Sequence, residues 1–485
     1  MAFENPKDNL VVLEKYATQN TTSFTLEDAV SVTGMPIIET DEAIKNMMEK
    51  YDCKLKVTEN GDLIYDFGPH LERRDKKPFS EYVADLMRLL WKGFQIGYKL
   101  LTSIFLVVYF VVFIVLLIGA AIASEDGDGV GDLIAVMLRL FISIFEWNTI
   151  MGYNNRYYQR DDYGYNYQHY KEKQRILGKK KKPKNPKDEK SYVASIYDFI
   201  FGPPRVELDP LANNQEVATF LREQKGLITT SEIQALAGWR REEAENFMTE
   251  CLGMFDGEGH VSDNGTLYGD FSQLIRSKDR TGEEPVVWYW DEYEPEYELT
   301  GNSGGRNAGI IAMNTFNLIM SLMLVFGGWL GPMGLNLGFW GQFFLGGFPL
   351  VYSSLFFLIP MIRWIRLRPL RKKQRELNIR KRLMRIVFQT YDQGEQHVHE
   401  IPLSTLTEVA NRQRKTEEKL DPATVERVMK DTLADLGGEA YVNDHAEIVY
   451  KFDLIAQELN AIDKLRLEKK DDSSLGDIIF DTSKD

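Results

Sequence analysis

Hydrophobic and polar positions follow two different rhythms along this chain. In Leu100–Ser124 and in Asn307–Ile362 no charged residue occurs for 25 and 56 positions respectively. About 20 apolar residues make a membrane-crossing helix. The first stretch therefore predicts one span and the second predicts two, parted by the Gly/Pro/Asn-rich break at Gly331–Gly338. Leu133–Met151 is mostly apolar but holds Arg139 and Glu146, seven apart and so on one helical face. It reads either as a further span whose charges face other helices or as an amphipathic helix on the bilayer surface.

Outside these stretches the pattern is amphipathic, and it recurs. Residues 57–67 read VTENGDLIYDF, residues 261–271 read VSDNGTLYGDF and residues 442–452 read VNDHAEIVYKF. A hydrophobic anchor, a polar turn and an apolar run closed by an aromatic residue predict a β-hairpin. Asn60-Gly61, Asn264-Gly265 and His445-Ala446 form the turns, because Asn-Gly accepts the positive φ angles of a tight reversal. Phe67, Phe271, Tyr450 and Phe452 close the hairpins.

Each hairpin follows helical stretches. In the first copy these are Asn9–Gln19, a helix capped by Thr25 and stopped at Gly34, and Thr40–Lys50. In the second they are a helix capped at Thr230 or Ser231 and stopped at Gly238, then Arg241–Cys251. The third has STLTEVANR and then a helix with Asp421 as cap and Pro422 at its first position. Helix, glycine turn, helix and hairpin form the winged-helix pattern.

The predicted fold class is α+β, with three winged-helix-like repeats alternating with two transmembrane α-helical hairpins. The repeats occupy 1–70, 213–271 and 381–456, and the transmembrane hairpins occupy 98–151 and 307–362. Four spans are expected, at 98–124, 132–151, 308–331 and 338–362. Basic juxtamembrane helices fall at 71–97 and 363–380, a Tyr/Lys-rich linker at 152–212, an acidic aromatic segment at 272–306 and a tail at 457–485. Within these, Glu283–Glu298 reads as an exposed strand or an interfacial belt. The tail reads as flexible, with Leu475, Ile478, Ile479 and Phe480 free to dock on a partner.

Charge orients this arrangement. Arg363, Arg366, Arg368, Arg371, Lys372, Lys373 and Arg375 follow the last span, Arg73, Arg74, Lys76, Lys77, Arg88, Lys92 and Lys99 precede the first, and Lys179–Lys182 lie between the two blocks. Such clusters mark the cytoplasmic side, so all repeats and both termini are expected there, on an inner or plasma membrane or its equivalent. The repeats themselves are acidic: six Lys or Arg against thirteen Asp or Glu in 1–67, four against eleven in 213–271, and seven against twelve in 400–453. Phosphate neutralisation needs the opposite sign, so nucleic acid is a poor partner and protein a better one, alongside the lipid bilayer. The spacing Gly327–Gly331 permits close helix packing and so a homo-oligomer, while Asn314, Asn317, Asn336 and Gln342 offer hydrogen bonds between helices.

Candidate chemistry is sparse. There is no P-loop, dinucleotide fingerprint, GxSxG or HExxH motif, so no catalytic residue and no cofactor is assigned. His397 and His399 would share a strand face, as metal ligands can, but no further Cys or His cluster completes a site. Cys53 and Cys251 are the only cysteines, which excludes a disulfide framework and fits a reducing compartment. The opening MAFENPKDNL lacks the features of a signal peptide.

With its ENGDLIYDFGP hairpin at Glu59–Pro69, a basic approach to a hydrophobic block and SIYDFIFGPP at Ser195–Pro204, the chain over residues 8–271 resembles a family of uncharacterised membrane proteins of cyanobacteria and chloroplasts. Plant members are loosely labelled as iron-sulfur cluster biosynthesis proteins. The resemblance implies a membrane location and transfers no catalytic residue. The expected function is a protein-interaction scaffold or assembly factor. The alternatives are a transporter or channel-like subunit using Arg139 and Glu146, and a membrane-tethered DNA-binding regulator.

Overall fold

The computed structural model of the chain describes residues 6–19, 21–74, 79–123, 192–203, 211–278, 283, 285–291, 294, 296–327, 338–392, 400–412, 419–470 and 473–482. Arg139 and Glu146, the expected span at 132–151, His397 and His399 lie outside the described residues, as does most of the Tyr/Lys-rich linker.

Helix and small antiparallel sheets together make the fold α+β. The N-terminal unit contains α1 (Pro6–Gln19), β1 (Ser23–Thr25), α2 (Leu26–Thr33), α3 (Ile37–Lys50) and a hairpin of β2 (Lys54–Thr58) and β3 (Leu63–Asp66). Next come α4 (Phe79–Ala123) and α5 (Tyr192–Phe201). A second unit follows with α6 (Ala212–Glu223), β4 (Leu227–Thr229), α7 (Thr230–Ala237), α8 (Arg241–Met254), β5 (Glu258–Val261) and β6 (Leu267–Asp270). Three further helices are α9 (Gly304–Phe326), α10 (Gly338–Gln342), which runs through a π-helical turn at Phe343–Gly347, and α11 (Phe348–Asp392). The third unit has β7 (Ile401–Pro402), α12 (Leu403–Arg412), α13 (Pro422–Leu436), β8 (Glu439–Val442), β9 (Ile448–Lys451) and α14 (Asp453–Glu468), and the chain closes with β10 (Ile478–Asp481).

Local chemistry explains these boundaries. Thr25 Oγ1 accepts from Asp28 N at 3.2 Å while Asp28 Oδ2 accepts from Thr25 N at 3.1 Å, a capping box that starts α2. Gly34 ends it at φ +69°. In the second unit the cap is Thr229, not Thr230 or Ser231. Glu232 lies three residues on from Thr229 and returns the reciprocal bond to Thr229 N at 3.0 Å, so the box starts one residue earlier than expected. Asp421 caps α13 with Pro422 at the first position.

The three hairpins share one turn. Thr58 N donates to Asp62 O, Ser262 N to Thr266 O and Asn443 N to Glu447 O, at 3.0, 2.8 and 3.0 Å. The reverse contact is equally regular: Asp62 N, Thr266 N and Glu447 N donate to the side-chain oxygens of Thr58, Ser262 and Asn443 at 3.2, 3.0 and 3.0 Å. Only the second turn residue has positive φ, Gly61 at 87°, Gly265 at 80° and Ala446 at 57°. Asn60, Asn264 and His445 stay on the ordinary side, so each turn needs one left-handed residue and not two; that is why alanine serves in the third. Phe67, Phe271, Tyr450 and Phe452 are buried. In the second and third units Gly257 and Gly438 lie flat against the closing Phe, where a Cβ would stand 2.4 and 2.6 Å from the ring.

Three helical segments are long and apolar enough to cross a membrane, Leu100–Ala120, Gly304–Phe326 and Gly338–Tyr391. The segment expected to end at Ile362 continues as helix to Asp392. Its far end is buried in the third unit through Ile379, Leu383, Met384, Val387 and Phe388. The polar boundary at Arg363 ends the apolar stretch but not the helix, since Arg, Lys, Gln and Leu all favour helix.

Two other expectations are corrected. Glu283–Glu298 forms no strand among its described residues; it has a 3-10 turn at Tyr289–Asp291 and lies along α11. Trp288 stacks on Trp290 and Trp290 on Phe388, with ring centroids 5.3 and 5.4 Å apart. Below them Arg371 Nε donates to Tyr297 O at 2.8 Å and Arg363 Nη1 to Leu299 O at 2.9 Å, so part of the basic cluster serves to hold this strap. The C-terminal tail is the second correction. Residues 453–468 are helical, and Ile478–Asp481 extend the first sheet, whose order is β1-β3-β2-β10. The backbone of Ile478–Asp481 is thus ordered against β2, while the side chains of Ile478, Ile479 and Phe480 stay exposed.

Candidate functional site

Two ion pairs, one fully buried and one with its cation partly buried, join the three sheet-bearing units. At the first joint Arg222, from α6, reaches Asp28 Oδ1 at 2.7 Å and Glu283 Oε1 at 2.6 Å, with its side chain fully buried. Asp28 caps α2 and also accepts from Ser277 Oγ at 2.8 Å and Lys278 N at 3.2 Å. Around it Asn214 Nδ2 donates to Gly34 O and Gln215 Nε2 to Thr33 O, both at 3.1 Å. A Cβ on Gly34 would stand 2.9 Å from Leu211 O, so glycine also permits the approach of α6.

The second joint repeats the device one unit further on. Glu232, the acid of the α7 capping box, meets Arg466 Nη1 of α14 at 2.7 Å. Arg466 Nη2 donates to Leu227 O at 2.8 Å, and Lys225 Nζ caps the end of α14 at Arg466 O and Lys469 O. Glu458 accepts from Ser231 N and Oγ at 2.8 and 2.7 Å and pairs with Arg241. Burial pushes the Glu232 carboxyl up, opposed by Arg466 and by hydrogen bonds from Thr229. A third joint is made by Arg380, which donates to Gly238 O at 2.9 Å and pairs with Asp435 at 2.5 Å.

Arg222 and Arg466 escape a pattern-based reading of motifs, yet each has a signal. Arg222 follows Val217, Ala218, Phe220 and Leu221, and Arg466 follows Leu459 and Ile462 at helical spacing, so each cation falls on or beside an apolar face. A charge in that position calls for a buried partner.

The predicted hairpin residues divide by location. Phe67 and Phe271 sit in two separate cores and Tyr450 and Phe452 together in a third, and Asn60, Gly61, Asn264 and Gly265 sit at two tips. Asn60 Nδ2 donates to Ser474 O at 3.0 Å and Asn264 O accepts from Gln457 Nε2 at 2.7 Å, so C-terminal residues hold both tips. The third tip, with His445, is exposed.

Among the apolar helices, Asn314 Nδ2 donates to Ser353 O at 3.0 Å and Asn317 Nδ2 to Leu106 O at 2.9 Å, which ties α9 to α11 and to α4. Replacing Asn317 with alanine is expected to loosen that contact by about 0.6–2 kcal/mol, measured by denaturant titration in micelles. α9 ends at Phe326 with Gly327 as its C-cap, and Gly331, the other glycine of that spacing, lies outside the described residues. Asn336 lies outside the described residues and Gln342 ends α10. From the linker, α5 packs against α4, α9 and α11 through Tyr192, Ile196, Phe199 and Ile200. At the same level Asn302 Nδ2 donates to Ser195 O at 2.8 Å and Arg306 Nη1 to Ser195 Oγ at 2.9 Å.

An open groove of about 800 Å³ lies beside β2, lined in part by Cys53, Lys56, Asp66, His70 and Arg74. Partial burial pushes Asp66 up, but hydrogen bonds from Lys56 and Gly68 N outweigh it and hold the carboxyl below its usual range. Burial pushes the Cys53 thiol up to about 11. Its thiolate is then scarce at neutral pH, and alkylation at pH 8 is expected to run roughly tenfold slower than for an unfolded-chain cysteine, as timed mass spectrometry would show. Cys251 is free and buried in the second unit. Two thiols in different units do not fit an iron-sulfur cluster, which takes four ligands, and among the described residues no three His, Cys, Asp or Glu side chains gather as a metal site. No protein-family model, curated protein or solved structure matches the chain.

Proposed function

We propose that the chain is a multi-pass membrane protein with four spans, whose three winged-helix-like repeats form a cytoplasmic interaction layer and serve as a scaffold or assembly factor. One observation carries the reading. The helix α11 runs unbroken from an apolar segment into the core of the third unit, while Arg222 and Arg466 lock the units to one another. Such a layer holds a fixed geometry at the bilayer, which is what a scaffold needs. Affinity purification of the full chain in mild detergent tests it. Stoichiometric protein partners are expected, and a chain that emerges alone after gentle cross-linking overturns the reading. A reporter inserted after Asp128 is expected on the outer side; a cytoplasmic signal there removes the four-span arrangement.

A second reading, a transporter or channel-like subunit, draws on the helix bundle. Asn314 Oδ1, Asn317 Oδ1 and Ser353 Oγ are buried without a hydrogen-bond partner among the described residues, and unsatisfied polar atoms at membrane depth are costly. Neutralising Arg139 and Glu146 without any change in solute flux would remove it. The DNA-binding reading loses support from α8, whose leading cations are engaged: Arg240 with Asp435 at 3.2 Å, and Arg241 with Glu245 at 3.0 Å and with Glu458.

A further inference from the structure

The first sheet differs from the other two by one strand. Register aligns the outer hairpin strands, since Lys54 faces Asp66, Glu258 faces Asp270 and Glu439 faces Lys451. On β2 the outer edge is occupied by β10, with Ile478 opposite Thr58, Phe480 opposite Val57 and Asp481 opposite Lys56. Leu55 O accepts from Thr482 N at 3.1 Å, Leu55 N donates to Thr482 Oγ1 at 2.9 Å, and Glu59 N donates to Asp477 O at 2.9 Å. Leu55 therefore turns its backbone away from β3. By the same register, Ala440 turns its N–H and C=O away from β9, and Val442 follows with alternation. Among the described residues β8 has no second neighbour, and all four of its residues are exposed.

We propose that the β8 edge is a strand-capture site for an extended, alternating apolar and basic segment of a partner protein, which would bind as β10 binds β2. Main-chain bonding to a sheet edge is a general mode of peptide recognition, with side chains supplying selectivity. Here charge sets the selectivity. The β2 edge carries Lys54 and Lys56 and holds a strand that is preceded by Asp477 and ends in Asp481, opposite Lys56. The β8 edge carries Glu439, and the Glu400 carboxylate lies near enough to Tyr441 to hold its phenol above the usual range. Its tip adds Asp444 and Glu447. An acidic strand such as β10 is repelled there and a basic one attracted. The β5 edge is the poorer candidate, because its tip is held by Gln457 and its strand contains Gly259.

The proposal rests on the scaffold reading, and the test separates the two. The probe is a fluorescent peptide of residues 474–482 carrying Asp477→Lys and Asp481→Lys, titrated against the full chain in detergent micelles. Saturable binding that weakens with salt is expected, whereas the unaltered acidic peptide binds weakly or not at all. Ala440→Pro removes the outward N–H and leaves the β8–β9 ladder alone, so it should weaken the basic peptide about tenfold or more, with the melting curve of the protein unchanged. Glu439→Lys supplies the second variant and should shift preference toward the acidic peptide. Absence of saturable binding by the basic peptide, or equal binding to wild type and to Ala440→Pro, overturns the proposal. Partners that co-purify equally with wild type and with Ala440→Pro also overturn it while leaving the scaffold standing; a chain that purifies alone removes the scaffold itself.

Discussion

Replacing Arg222 with alanine is expected to destabilise the joint between the first two units by about 3–5 kcal/mol, the cost of breaking a buried ion pair from one side. Asp28 is only 1% exposed and Glu283 only 8%, so the substitution takes from a dry site the guanidinium that both carboxylates share. Arg222→Lys should rescue little. One ammonium cannot reproduce a planar fork that reaches both acids. Surface pairs give the contrast: Lys45 and Asp41 are 69% and 34% exposed, and breaking such a pair costs about 0–1 kcal/mol. Hydrogen exchange on the full chain in micelles checks the prediction, because α2 and α6 should lose protection together while the third unit keeps its own. A loss below about 1 kcal/mol would mean that Arg222 does not hold the joint.

What could be read from the residues alone was what is decided locally. The hairpins needed a turn residue at positive φ and an aromatic closure, and both are visible within eleven positions, so Asn60-Gly61, Asn264-Gly265 and His445-Ala446 fall at turns. Caps are also local, and the one displaced cap, Thr229, was decided by which of three neighbouring hydroxyl residues stood three before an acid. Nothing local marks Arg222 as the partner of Asp28, 194 positions away, or Ile478 as the neighbour of Thr58. The tail looked free because its acidic and apolar residues have no complement nearby; the complement is a pair of lysines near the other end of the chain. Aromatic residues at 288–290 read as strand because Trp and Tyr favour sheets. Tertiary packing overrode that preference by stacking them on Phe388. The end of the uncharged stretch at Ile362 is a change of polarity, whereas the helix answers to backbone propensity and runs on to Asp392.

Arg466→Ala should damage the second joint in a manner that depends on pH. Glu232 is buried, and its carboxyl is already pushed up by burial, with the Arg466 charge and hydrogen bond as two of the influences drawing it back. Removing Arg466 withdraws both, so the folded-state value climbs further while the unfolded value stays near about 4.3. The folded protein then keeps a proton that the unfolded chain has released. Stability is accordingly greatest in acid and falls as pH rises from about 4.3 to the raised value, by up to about 1.4 kcal/mol per pH unit. The variant should therefore lie closer to wild type at pH 5 and well below it at pH 8. A part of the loss is independent of pH, because Arg466 also donates to Leu227 O and lies over the Phe220 ring at 5.7 Å. Adding Glu232→Gln to Arg466→Ala should flatten the profile, since glutamine keeps a capping partner for Thr229 and carries no charge. Thermal unfolding at pH 5 and pH 8 decides the matter. Equal losses at both would show that Arg466 acts through its carbonyl and ring contacts, and that Glu232 is not the group it neutralises.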